Sequence, residues 1–104
     1  MDEALLHDTI LRISKMELCF DRLREASEAN PAALKEDPIL KELLHTLNRY
    51  YEGGQWLCDY ALDEQGLLPH DLKRGVLSQD ALFNFLDSLN YRLSGGEQQK
   101  SYGI

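Results

Sequence analysis

Three sets of residues in this chain have the types and spacing from which chemistry could be built. Asp59 and Asp63 stand four apart with Glu64 beside them, and residues 52 to 71 hold five acids and no Lys or Arg. Carboxylates at i and i+4 share one helix face and can converge on a divalent cation. The competing reading is a solvated acidic face, favoured because no glycine-punctuated, oxygen-rich loop accompanies them. His7, His45 and His70 have no mutual spacing that makes a site. The second set is Lys73-Arg74, adjacent cations on a turn in an otherwise acidic chain. As a contact surface they would suit an acidic partner, with Arg supplying a bidentate grip. As structural residues they would cap the short turn at Pro69 and pair with Asp71 or the acidic face. The third set is Trp56 with Tyr50, Tyr51 and Tyr60. Aromatics at helical spacing usually form core, but a Trp56 exposed beside the basic pair would make a binding hot spot.

Covalent catalysis finds no foothold. A nucleophile needs a base and an oxyanion hole. Cys19 and Cys58 lie inside helical apolar patterns, where reduced, buried cysteines are the ordinary case. Ser78 fits a helix N-cap, and no phosphate-cradling glycine loop follows a strand. The expectation is a protein that is not an enzyme and carries no cofactor.

The elements that must position these residues are helices. Leu6, Ile10, Ile13, Met16, Phe20 and Leu23 recur every three or four positions, which predicts a long amphipathic helix over about 3–28. Arg12, Lys15, Asp21, Arg22 and Glu25 fall on its expected outer face. Asp37-Pro38 opens a second helix, since Asp accepts from the first turn and Pro at the first position loses no bond. Its stripe is Leu40, Leu43, Leu44, Leu47, Tyr50 and Tyr51. Gly53-Gly54 then costs about 2 kcal/mol relative to two alanines. The apolar face nevertheless stays in phase through Gly54, Leu57, Cys58 and Ala61, so one helix over about 38–64, kinked at Gly54, is expected. Gly66 suits its left-handed close. Pro69 begins a single turn that Gly75 would end in the same way, and Ser78 starts a third helix over about 79–91, with Leu77 stapled to Leu82. The fold class is all-α: two long antiparallel helices and a third after a Pro/Gly corner, one helical domain over 1–93, and a flexible tail over 94–104.

Composition narrows the partners. At 104 residues with 43% apolar and 28% charged side chains, the chain can bury one core. A net charge of −7 opposes binding to nucleic acid or to an anionic membrane, and no apolar run approaches a bilayer span. The acidic start, Met1-Asp2-Glu3-Ala4, is unlike a secretory signal, so a cytoplasmic location is expected.

Tyr50-Tyr51, Trp56, Asp59-Tyr60, Asp63-Glu64, Leu68-Pro69, the run Asp71-Leu72-Lys73-Arg74-Gly75-Val76-Leu77-Ser78, Asp80 and Asn90-Tyr91-Arg92-Leu93 form a recognisable set. With Arg12-Ile13 and Met16-Glu17, this pattern resembles the bacterial domain of unknown function 4298 over most of the chain. Gln79 stands where that pattern leads one to expect an acid. The resemblance implies a short intracellular helical protein of bacterial source, and no reaction.

Together these readings point to a protein-binding module with a surface around Trp56, Pro69, Asp71, Lys73, Arg74 and Asp80. An antitoxin-like or immunity-like role would suit an acidic protein that blocks a basic partner. The long first helix also invites homodimerisation, although Glu17 interrupts a strict heptad. The alternative is a small-molecule or divalent-cation binder that uses Asp59, Asp63 and Glu64.

Overall fold

In the computed structural model, which describes residues 2–93, the first helix forms as its periodicity requires: α1 runs Glu3–Ala29 and buries Ile13, Met16, Cys19, Phe20 and Leu23. A short helix, α2 (Ala33–Glu36), follows and drops Leu34 into the core. The sequence pattern is too short there to announce a helix. Asp37 then caps α3 (Pro38–Glu52), its Oδ1 accepting from the Ile39 N–H at 2.9 Å. α2 joins the end of α1 to the start of α3, while Tyr50 near the end of α3 reaches the first half of α1 through Asp59. The two helices therefore run antiparallel.

The expected second helix is broken. Gly54 adopts φ 97°, which ends the hydrogen-bond ladder of α3 and starts a new helix, α4 (Gln55–Glu64). The break rotates the inward face. A continuous helix would turn Leu57, Cys58 and Ala61 toward the core, but all three are exposed, and Trp56 and Asp59 are buried instead. Cys58 is thus an exposed free thiol, whereas Cys19 is buried and burial raises its pKa.

α4 closes as its glycine predicts. Gly66 has φ 74°, its N–H donates to the Asp63 carbonyl at 3.0 Å, and the Leu67 N–H reaches back to Leu62 at 3.1 Å, a Schellman arrangement. The Leu72 N–H donates to the Pro69 carbonyl at 3.3 Å, forming the expected turn. Gly75 differs from expectation. Among the described residues only Gly54 and Gly66 have positive φ, and Gly75 opens a 3-10 turn over Gly75–Leu77. Glycine matters there because a Cβ would sit 3.1 Å from Oε2 of Glu17.

Leu77 and Leu82, both buried, bracket the start of α5 (Gln79–Leu93), and Ser78 Oγ accepts a long bond, 3.5 Å, from the Ala81 N–H. α5 lies against α1 through Phe20 and Phe85, which meet edge to face at 5.3 Å, and against α3 through a reciprocal amide pair, Asn48 and Asn90. Buried residues from Ile13 to Leu89 form one continuous core. The tail expected over 94–104 lies outside the described residues.

Candidate functional site

The corner between α4 and α5 is held to the body of the protein by bonds that the sequence did not announce. Val76 is the hub. Its N–H donates to Oε1 of Glu17 on α1 at 2.8 Å, and its carbonyl accepts from the Trp56 indole at 2.8 Å. Trp56 is therefore core: it is buried, stacks on Tyr60 at 5.0 Å and contacts Tyr51 at 5.1 Å. It belongs to no accessible surface, which removes it from the expected contact set.

Arg74 takes the structural role. Its guanidinium bonds the carboxylate of Asp63, the Pro69 carbonyl and, at 3.2 Å, the Leu72 carbonyl. It thus ties α4 to the turn, adding a second donor to the Pro69 carbonyl that already closes the turn. Lys73 points outward, with its side chain 75% exposed, and pairs with Asp21 of α1 at 3.4 Å rather than with Asp71 or α4. Arg24 first, then Lys73, holds the Asp21 carboxyl below the usual carboxylate range. Pro69 is half-buried, and Asp71 and Asp80 are exposed, Asp80 in the first turn of α5.

The acidic set on α4 does not converge. Asp59 is fully buried and bonded on both oxygens: Arg12 donates to Oδ2 at 3.0 Å and to Oδ1 at 2.6 Å, and the Tyr50 hydroxyl donates to Oδ2 at 2.6 Å. Thr9, also buried, accepts a 3.4 Å bond from Arg12 and donates to the Leu5 carbonyl. Asp63 is held by Arg74, and Glu64 is exposed. Among the described residues no three His, Cys, Asp or Glu side chains are placed to share a metal ion. Burial and the bond to Asp59 push the Tyr50 hydroxyl pKa far up, and Arg12's own bond to Asp59 raises the guanidinium pKa.

Two charged residues of α1 lie elsewhere than their spacing predicts. Arg12 was expected on the outer face and instead turns toward Asp59 with its side chain 25% exposed. Glu17 was expected only as a flaw in a heptad, yet it is 5% exposed and anchors the corner. Its place was legible in one respect: 13, 16, 17 and 20 share a helix face, so a glutamate at 17 stood on the apolar stripe.

Between α1 and the corner lies an open groove of about 510 Å³. Ile10, Leu18, Pro69 and Leu72 give it apolar walls; Glu17, Asp21, Asp71 and Lys73 supply its charge. Leu18 is 66% exposed. The expected contact residues Pro69, Asp71 and Lys73 meet here, while Asp80 does not line the groove.

Comparison with known proteins bears on the same region. No curated protein and no solved structure matches the chain. A family model described as Domain of unknown function (DUF4298) matches residues 13–94, a span that runs from the middle of α1 through the corner and α5. Since that match covers most of the chain, the protein belongs to the DUF4298 family.

Proposed function

We propose that this chain is a non-enzymatic protein-interaction module of the bacterial cytoplasm, acting through the α1 flank and the corner beside it. The observation that carries the reading is the contrast between a fixed corner and its exposed flank: Val76, Trp56 and Arg74 fix the corner's backbone, while Lys73 and, on α1, Leu18 stay exposed beside the groove. A preformed, exposed surface loses little freedom on binding, which favours recognition. The buried polar residues Thr9, Glu17 and Asp59 each make internal hydrogen bonds, which fits a scaffold better than a reaction centre. No helix among the described residues is long and apolar enough to cross a membrane. The charge of −7 suits a basic partner, as an antitoxin-like or immunity-like role would require.

Affinity capture of the tagged full chain from its own cells tests this reading, with Leu18→Asp run beside wild type. Arg74→Ala is the wrong control, because it would loosen the corner itself. A partner retained by wild type and lost by Leu18→Asp is the expected result; an identical set of captured proteins from both would count against the reading. The cation-binding alternative requires Asp59 and Asp63 to leave Arg12, Tyr50 and Arg74. A rise in Tm with millimolar Ca²⁺, Mg²⁺ or Mn²⁺ would revive it.

A further inference from the structure

Glu17 is the one buried carboxylate in the groove, and only half of it is used. Oε1 accepts from the Val76 N–H at 2.8 Å. Oε2 has no hydrogen-bond donor among the described residues, and the position a Cβ on Gly75 would take lies 3.1 Å from it. No fully buried side-chain oxygen among the described residues lacks a partner, so Oε2 keeps an edge open to solvent, and Glu17 lines the groove. A carboxylate that lines a largely apolar groove with one oxygen undonated is an acceptor with an unmet bond. A charged donor brought in beside Ile10, Leu18 and Leu72 would bond it more strongly than water does, because the walls lower the local dielectric.

We infer that the groove between α1 and the corner docks a basic side chain, Arg or Lys, flanked by apolar residues on an extended segment of a partner protein, with Oε2 of Glu17 as the counter-charge. This inference rests on the interaction reading and gives it a partner chemistry. Charge complementarity selects the occupant: Lys73 and Arg24 both pair with Asp21, which leaves Glu17 and Asp71 of the groove without a cationic partner among the described residues, and the whole chain carries −7. The partner's apolar neighbours would cover Leu18, which is otherwise 66% exposed. The inference also reverses the sign assigned to Lys73. This lysine, paired with Asp21 at 3.4 Å and otherwise exposed, repels the incoming cation instead of gripping an acid.

The test is a ¹⁵N-labelled full chain titrated with the acetylated, amidated tripeptides Leu-Arg-Leu, Leu-Gln-Leu and Leu-Glu-Leu, read from backbone amide shifts. Leu-Arg-Leu should move the amides of Ile10, Ser14, Leu18 and Leu72, with the Gln and Glu peptides weaker by about tenfold or more. In Glu17→Gln the amide oxygen can still accept from Val76, but an NH₂ replaces Oε2; the preference for Arg should vanish while Tm stays near wild type. Lys73→Ala should tighten the Arg peptide. The inference is overturned if the Arg and Glu peptides bind alike, if the shifts fall elsewhere or are absent at about ten millimolar, or if Glu17→Gln keeps the preference. Spermidine outcompeting the peptide, or a micromolar dimer that buries Leu18, would name a different occupant and overturn it too. In the capture experiment, a partner retained equally by Glu17→Gln would leave the interaction reading standing and remove this one. Peptide shifts with no cellular partner would do the reverse.

Discussion

Two carboxylates are buried where other elements meet α1, and they differ in how fully they are bonded. Asp59 lies at the α1–α4 contact with both oxygens occupied, by a bidentate Arg12 and by the Tyr50 hydroxyl. Glu17 lies at the contact of α1 with the corner and has one oxygen occupied, by a backbone N–H. Arg12 and Glu17 are five residues apart, about 140° around the helix, so they edge opposite sides of its buried stripe. The fully buried site accepts three internal bonds, has both oxygens occupied and serves as a structural bolt. The half-bonded one fixes a loop, keeps one oxygen without a donor among the described residues, and lines the groove. Burial alone would rank the two carboxylates together; counting bonds separates them.

The comparison can be broken hardest at Asp59. Asp59→Ala leaves Arg12 and Tyr50 without their shared acceptor and should lower unfolding stability by about 3–5 kcal/mol, as loss of one partner of a buried pair does. Urea denaturation of the variant checks it. Arg12→Met with Asp59→Leu should recover much of that loss, because well-packed apolar residues can replace a buried ion pair. If the double variant is as unstable as the single, the pair is not the source of the effect.

At Glu17 the expected loss is smaller, about 1–3 kcal/mol for Glu17→Ala, since one backbone N–H loses its partner. Glu17→Gln should stay within about 0.5 kcal/mol of wild type, because the bond to Val76 survives. That split between Ala and Gln is what a half-used carboxylate implies. The same pair of substitutions at position 59 should both be damaging, since Asn cannot accept on both sides from Arg12 and Tyr50. Amide exchange at Val76 offers a second readout, with faster exchange expected only in Glu17→Ala.

Alkaline titration sharpens the Asp59 side alone. The Tyr50 pKa is raised in the folded state above its unfolded value of about 10, so the folded protein holds this proton longer than the unfolded chain does. Its contribution to stability is complete below pH 10 and is lost as pH rises further, by about 1 kcal/mol by pH 11. Tyr50→Phe should remove that part of the alkaline slope, measured by chemical denaturation between pH 9 and 11. The smallest effect belongs to Lys73. Its exposed pair with Asp21 should contribute no more than about 0.5 kcal/mol, so Lys73→Ala should leave Tm nearly unchanged while altering what the groove binds.

Much of the fold was legible because it is locally encoded. The α1 stripe, the Asp37-Pro38 start, the Gly66 close and the Leu77–Leu82 bracket around Ser78 all use residues within one or two turns of each other. The glycine pair shows where that logic stops. The apolar phase carried across Gly53-Gly54, yet Gly54 at φ 97° broke the helix and exchanged Leu57, Cys58 and Ala61 for Trp56 and Asp59 as the inward residues. Periodicity weighs side chains only by polarity. It could not see that a buried Asp59 would be matched by Arg12 and Tyr50, which makes that phase the better one.

By itself, then, the sequence determined the helical class, the start of α3 and the close of α4, the acidic balance, and the family pattern. Each of these follows from composition or from neighbours along the chain. Only the tertiary structure decided which charges are internally bonded and which are left exposed. Asp59 meets Arg12 across 47 residues, and Glu17 meets Val76 across 59. Whether a carboxylate keeps an unbonded oxygen depends on which donors folding brings to it, and spacing along the chain does not encode that.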